Sequence, residues 1–335
     1  MTDQEIIGNN IDQAITIEMR SRKWPRGIIQ LLGNAAREEA GTSMVLKAAR
    51  GLIHHVKPGD NVLITCVAAQ TPWVPFSETD GPPGAAALAR VISKGLGAIP
   101  CFVLNNQHLL PTKHSSMALG IPVFEGPGMR RPGCGIAVDF PLDIGKAESA
   151  SQDILNTYSP SAVVAIETMA PNPAGIVHSA SGKAVPDSDI EGAYYKVVTA
   201  AVERGIYSVG IGDAGNECGM GRILPAIHDI HQYGAHCLCP CDQGIASVVS
   251  TDSLIVSSCS NWGAYGLAAM LAYLLNDQSL FHNAIDEERM LRACVSAGGI
   301  DAFTGESTPS VDGISLSAHV GLNHFLNEIV RSGLI

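Results

Sequence analysis

The stretch Tyr207-Ser208-Val209-Gly210-Ile211-Gly212-Asp213-Ala214-Gly215-Asn216-Glu217-Cys218-Gly219-Met220-Gly221 opens as an apolar strand and passes into an acidic loop framed by glycines. A strand followed by so tight a turn is the unit from which open α/β sheets are built. The turn carries two carboxylates, which are costly near a core unless paired, protonated or bound to a cation. An earlier loop, Glu78-Thr79-Asp80-Gly81-Pro82-Pro83-Gly84, repeats the arrangement between an apolar run and a helix-like run. The two loops read as facing walls of one active site.

Working outward, Asn61–Val67, Ile99–Leu104, Ala162–Glu167, Ile245–Val249 and Ser253–Ser258 are further apolar runs of strand length. Ala85–Lys94, Ile190–Arg204, Tyr265–Leu275 and Asp286–Ala297 have helical patterning. A proline-rich loop passes through Pro72, Pro75 and Pro82, and another loop spans Gly126–Gly135. The first sixty residues are helical, over Ile11–Met19 and Met44–His54, interrupted at Trp24-Pro25-Arg26-Gly27 and closed by Pro58-Gly59-Asp60. Strands without strict alternation, separated by helices, predict an α/β fold: a mostly parallel sheet with helices on both faces, preceded by an N-terminal helical segment. The expected division is a helical segment over residues 1–60, packed on a catalytic domain over 61–335. In such sheets ligands sit beyond the carboxyl ends of the strands, where Glu78, Asp80, Glu167, Asp213 and Glu217 all fall.

Only 16% of the 335 residues are charged, and 35 are glycine. Both point to a large buried share, tight turns and a homo-oligomer. A net charge of −11 argues against a nucleic-acid surface, which needs a basic stripe. No apolar run reaches membrane-spanning length. The acidic amino end lacks the basic start of a signal peptide, so a cytoplasmic enzyme acting on a small molecule is expected.

Nine cysteines spread over the chain do not read as a disulfide scaffold. Cys237-Leu238-Cys239-Pro240-Cys241, with His228, His231 and His236 upstream, admits zinc in principle. In an extended strand, however, the three thiols share one core-facing side, and reduced structural thiols are the expected reading. His178 and most other histidines read as scaffold.

Gly210-Ile211-Gly212-Asp213-Ala214-Gly215 matches the G-x-G-x-x-G pattern, but Asp213 and Glu217 would repel a pyrophosphate, and no acid is convincingly placed about 20 residues on. No nucleotide is expected. A divalent cation, Mg²⁺ or Mn²⁺, or a substrate ammonium suits those carboxylates better. Helix capping is the plainer alternative for Asp213 and Glu217, and for Asp80 ahead of the Ala85 helix.

These blocks resemble the D-glutamate cyclase family: Glu78–Ala85, Ile166-Glu167, Gly212–Gly221, Ser260-Asn261-Trp262-Gly263, Thr304-Gly305-Glu306 and Val311-Asp312-Gly313. Their order and spacing agree over most of the chain. The resemblance implies an α/β fold, conversion of D-glutamate to 5-oxo-D-proline with loss of water, and divalent-metal binding. Two positions depart from the family. Thr168 stands where an arginine usually follows the acid, and Ala180-Ser181-Gly182 stands where Met-Arg-Gly is usual. Each removes a natural clamp for a carboxylate, leaving room for another small acid, lactam or amide.

The catalytic candidates are therefore Glu78, Asp80, Glu167, Asp213 and Glu217, with Glu167 or Glu217 as general base and Glu78 or Asp80 for acid or metal work. Asp213, Glu217 and Glu78 are the candidate metal ligands. Thr79, Gly81, Asn216, Asn261, Trp262 and Thr304 are the candidate substrate contacts. A metal-assisted hydrolase or hydro-lyase acting on a different small carboxylated substrate is the alternative. A non-catalytic sensor is the third reading.

Overall fold

The computed structural model describes residues 1–19, 25–66, 73–186 and 192–334. Trp24, Val67, Pro72 and Ile190 fall outside them. Three helices lead: α1 (Asp3–Ile15), α2 (Ile29–Ala40) and α3 (Met44–His55). There follow β1 (Asn61–Thr65), β2 (Ser77–Glu78), α4 (Pro82–Lys94), β3 (Ile99–Val103), α5 (Leu109–Ala118), β4 (Val123–Glu125), β5 (Gly135–Val138) and α6 (Ile144–Tyr158). The second half runs β6 (Ala162–Ile166), α7 (Tyr195–Glu203), β7 (Tyr207–Gly212), α8 (Leu224–Ile230) and β8 (Ser253–Val256). It ends with α9 (Ser260–Leu274), α10 (Ala284–Ser296), β9 (Gly299–Ile300) and α11 (Leu316–Leu334).

Seven strands form one sheet in the order β4-β5-β3-β1-β6-β7-β8, with every pairing parallel. This is the expected α/β fold. Strands β1, β3, β6, β7 and β8 are buried along their whole length, so their side chains need no alternation. After β1 the chain builds outward to one side, then crosses back to lay β6 on the other. The strand order reverses between β1 and β6, and a crevice opens there at their carboxyl ends. Glu78, Asp80 and Glu167 belong to the segments that leave those two strands.

Helix α9 is buried from Ser260 through Ala272, as expected of a helix apolar on every side. It packs on β6, β7 and β8 and is covered by α1, α3, α4 and α11. Helices α6 and α7 pack together, with α7 against β6 and β7. The leading helices share the sheet's hydrophobic core. Asp12 of α1 fastens α3 to it by accepting the Met44 and Val45 N–H groups at 2.8 and 3.2 Å.

Several expectations need correction. Ile245–Val249 is not a strand, because its backbone bonds go to loops: Ile245 N–H to Tyr233, Ser247 to Gly215 and Val248 to Pro171. Cys237–Cys241 bends and turns instead of extending. The proline-rich loop contains β2, which pairs in parallel with β9 so that Glu78 stands opposite Ile300. This small second sheet carries the late polar loop to the main sheet's crevice.

Candidate active site

Five acids meet beside the crevice, each set by a local device. Glu167 follows β6 in a left-handed conformation, φ 48°, which a non-glycine residue adopts only at a cost. Its Oε2 accepts the Ser260 hydroxyl at 2.6 Å. Asp80 takes the Ser260 N–H on Oδ2 at 2.7 Å and the Asn261 N–H on Oδ1 at 2.7 Å. It thus caps α9 and not, as its position before Ala85 suggested, the helix that follows it. The N-terminus of α4 is capped from the other direction. Asn261 Oδ1 accepts the Gly81 and Gly84 N–H groups at 3.0 and 2.8 Å, and its Nδ2 donates to the Thr79 carbonyl. Two helix N-termini, with their dipoles, are locked together by exchanged caps.

In the glycine-framed loop, Glu217 folds back on its own turn. Its Oε1 accepts from Asp213 N–H at 2.9 Å and Ala214 N–H at 2.8 Å, and Oε2 from Gly215 N–H at 2.8 Å. These are the donors a phosphate would use at such a motif, and this chain's own carboxylate occupies them. Gly212 is required here, since a Cβ on it would lie 2.9 Å from the Glu217 carboxyl carbon. An antiparallel bridge from Glu217 to Met169 ties the loops after β6 and β7 together.

The fourth wall comes from the segment after β9. Asp301 is buried and organises it, accepting Phe303 and Gly313 N–H groups and the Ser310 hydroxyl. Asp312, at φ 54°, is thereby brought to the crevice.

These walls enclose a cavity of about 200 Å³ lined by Glu78, Glu167, Asp213 and Asp312 among others. Sites for drug-sized ligands run from roughly 300 Å³ upward, so this one suits a compact metabolite. Among the described lining residues there is no lysine or arginine. Asn216 lines it too, and its buried Oδ1 has no donor among the described residues, while its Nδ2 holds the His178 carbonyl.

Crowding shapes the protonation of these acids. Burial pushes Glu78 and Glu167 well above the ordinary carboxylate range, and the neighbouring acids, Asp213 among them, push the same way. Asp80 is pushed up to about 8 by burial and then by Asp213, against the pull of its N–H donors. Glu217 rises to about 7 for the same reasons. Without a cation the cluster must share protons.

Two groups of three acids have ligand atoms within 4.8 Å of one another: Asp80, Asp213 and Asp312, and Glu167, Asp213 and Glu217. Asp213 and Glu217 were foreseen as ligands, whereas Glu78 belongs to neither group. Of the foreseen contacts, Asn216 lines the cavity. Thr79 is buried and bonded to the Ser310 carbonyl, and Gly81 and Asn261 serve the exchanged caps. Trp262 is a core residue donating to His319 Nδ1 at 2.9 Å. Thr304 is exposed, while its neighbours Ala302 and Phe303 line the cavity. Sequence reasoning did not single out Asp301 or Met169, and it did not place Asp312 among the site residues. The signal for Asp312 was its place in a block shared with the resembling family.

A family model described as D-glutamate cyclase-like, C-terminal, matches residues 15–327. The human protein named D-glutamate cyclase, mitochondrial, is 32% identical over 133 residues. That alignment covers 39% of this chain and 18% of the human protein's length.

Proposed function

The chain belongs to the D-glutamate cyclase-like family, and on that premise we propose that it is a lyase closing a small amino acid, D-glutamate or a near analogue, to a five-membered lactam with loss of water. The observation that carries the reading is the convergence of acids from four separate loops on one small cavity. A divalent cation fits the donor set, which is all carboxylate oxygen, as Mg²⁺ and Mn²⁺ prefer. Asp213 would hold it with Asp80 and Asp312, or with Glu167 and Glu217. When bound it would neutralise the crowded charge and polarise the substrate carboxyl group.

The chain's own residues divide the remaining work. The substrate ammonium faces an acidic wall and the unpaired Oδ1 of Asn216. Once the ammonium has lost one proton, its nitrogen attacks the side-chain carboxyl carbon and the C–N bond forms; the second proton then leaves the nitrogen, and the C–O bond breaks as the departing oxygen, having taken up two protons in all, leaves as water. Glu167 lines the cavity and is steadied by the Ser260 hydroxyl, so it is the general base. Burial and the neighbouring acids raise Glu78 and Glu167 alike, so the roles divide by position, and Glu78, in β2, supplies a proton to the leaving oxygen. Glu217, bound by three N–H groups, fixes the loop and the position of Asp213. Folding the substrate so that nitrogen and carbonyl carbon touch supplies several kcal/mol by proximity. We extend the proposal to a cytoplasmic homo-oligomer, which size-exclusion chromatography of the purified chain tests.

A second reading keeps the site and changes the substrate: metal-assisted hydrolysis or dehydration of a different small acid. It is favoured by the absence of a lysine or arginine among the described lining residues. Ser179, Ala180 and Ser181 line the cavity where the family resemblance leads one to expect arginine, and Thr168 is buried against Thr65 at 2.7 Å. Incubating purified protein with D- and L-glutamate, other amino acids, lactams and hydroxy acids, with Mn²⁺, separates the two by product. Glu167→Gln is expected to slow lactam formation by about 10²–10⁴-fold. Unchanged turnover in that variant would remove Glu167 from the chemistry.

A further inference from the structure

Behind the wall of the acidic cavity, an imidazole and three thiols converge: His178, Cys237, Cys239 and Cys241, their ligand atoms all within 4.8 Å of one another. The sulfur–sulfur distances are 3.4 Å for Cys237–Cys239, 3.4 Å for Cys237–Cys241 and 3.1 Å for Cys239–Cys241. None approaches the roughly 2.05 Å of a disulfide. His178 Nε2 lies 3.2 Å from the Cys239 sulfur and 3.9 Å from that of Cys241. A tetrahedron with Zn–S near 2.3 Å and Zn–N near 2.0–2.1 Å has edges of about 3.8 Å between sulfurs and about 3.5 Å from sulfur to nitrogen. The four atoms stand at the corners of a figure close to that size.

Two further features point the same way. His178 Nδ1 lies 3.0 Å from the Ile176 carbonyl, which can only accept. Nδ1 therefore carries the proton, and Nε2 presents its lone pair to the sulfurs, the tautomer that metal-bound histidines hold through such a partner. The cysteines are delivered by a pinched loop. A Cβ on Gly244 would fall 1.8 Å from the Gly234 carbonyl oxygen, and Leu238 N–H bonds the Gly182 carbonyl at 2.7 Å. Asn172 Nδ2 donates to the Cys241 sulfur at 3.5 Å and to the Gly244 carbonyl at 2.7 Å. Cys239 and Cys241 are partly exposed, which leaves an entry path.

We propose that His178, Cys237, Cys239 and Cys241 form a structural zinc site that staples the 178–182 loop to the 237–241 turn. All four positions are filled by protein, so the site is closed to substrate. Its place matters to the cavity beside it. Ser179, Ala180 and Ser181 follow His178 directly and line the wall, and the His178 carbonyl holds Asn216. The site does not depend on which reaction the acids perform.

The test is elemental analysis of the full chain, purified under reducing conditions without chelator. One zinc per chain is expected in the wild type and in Asp213→Asn, and a loss of most of it in Cys239→Ser/Cys241→Ser. Because that variant could fail to fold, the wild type is also stripped and titrated with Co²⁺. Strong thiolate-to-cobalt absorption should appear at one equivalent, with the three cysteines protected from alkylation until a chelator is added. Absence of zinc and of that absorption, or a disulfide among these cysteines in freshly purified protein, would overturn the assignment. Zinc lost in Asp213→Asn but kept in the cysteine variant would move it to the acidic cavity.

Discussion

Raising the pH should weaken this protein, and a divalent cation should reverse the effect. Asp80 sits at about 8 against an ordinary 3.8, and Glu217 at about 7 against 4.5. An acid whose folded pKa is raised holds its proton more tightly when folded. Its contribution is complete below the unfolded value and is lost as the pH climbs to the folded one. Within that window each pH unit costs about 1.4 kcal/mol per group. Between about pH 6.5 and 8, Asp80 then accounts for about 2 kcal/mol and Glu217 for somewhat under 1, or about 3 together. Glu78 and Glu167 act in the same direction. Burial holds His319 below its usual value, so its opposing contribution is spent by about pH 6.5. Cys237, brought down to about 6 by hydrogen bonds that outweigh its burial, works against the acids across the same window and offsets much of their loss, equally with and without Mn²⁺, so the quantity that decides is the shift Mn²⁺ produces. For a chain of this length 1 kcal/mol moves Tm by about 1–2 °C. Mn²⁺ at a hundred times its Kd returns about 2.7 kcal/mol, and it binds better as the acids deprotonate. Differential scanning fluorimetry across this range, with and without Mn²⁺, is the assay, and Asp213→Asn is the control that should not respond. A Tm profile indifferent to Mn²⁺ and Mg²⁺ at every pH would refute the idea that these acids form a cation site.

Other perturbations separate holding from chemistry. Asn261→Ala removes the acceptor for the Gly84 N–H group and one of two for Gly81, which keeps Asp80 Oδ1 at 3.1 Å. An orphaned buried donor costs about 1–3 kcal/mol, so chemical denaturation should show a loss of that order. Gly212→Ala drives a methyl group against the Glu217 carboxyl. It should weaken Mn²⁺ binding by calorimetry at least tenfold while leaving the far-ultraviolet circular dichroism unchanged.

Strands β1, β3, β6, β7 and β8 of the main sheet were legible because each is a short, wholly buried apolar run. Strands β4 and β5 were not, since three or four residues beside a glycine-rich loop carry too little pattern. Helix α6 buries only Ala147, Ser151, Ile154, Leu155 and Tyr158, a narrow stripe in a polar segment that the reading passed over. Ile245–Val249 misled because an apolar run specifies burial, not which backbone partner it takes. For the site, acids after strand ends were visible from topology alone. Asp312 was not, because only the β2–β9 pairing brings its segment round. Asn261 shows the opposite failure: a polar residue beside a site was given to the ligand when its work is to join two helices.

His178 marks where linear reading stops. It lies 61 residues from Cys239, and its carbonyl and imidazole serve different neighbours. The carbonyl orders Asn216 in a cavity lined with hard carboxylate oxygens, and the ring points into a cluster of soft thiols. Donors of these two kinds favour different cations, Mg²⁺ or Mn²⁺ on one side and Zn²⁺ on the other, so the two proposed sites are chemically distinct. The wall between them is the segment Ser179–Ser181, which presents no cationic side chain to the cavity. A loop with no cationic side chain to anchor it against substrate needs another source of rigidity, and four protein ligands on zinc would provide it from behind.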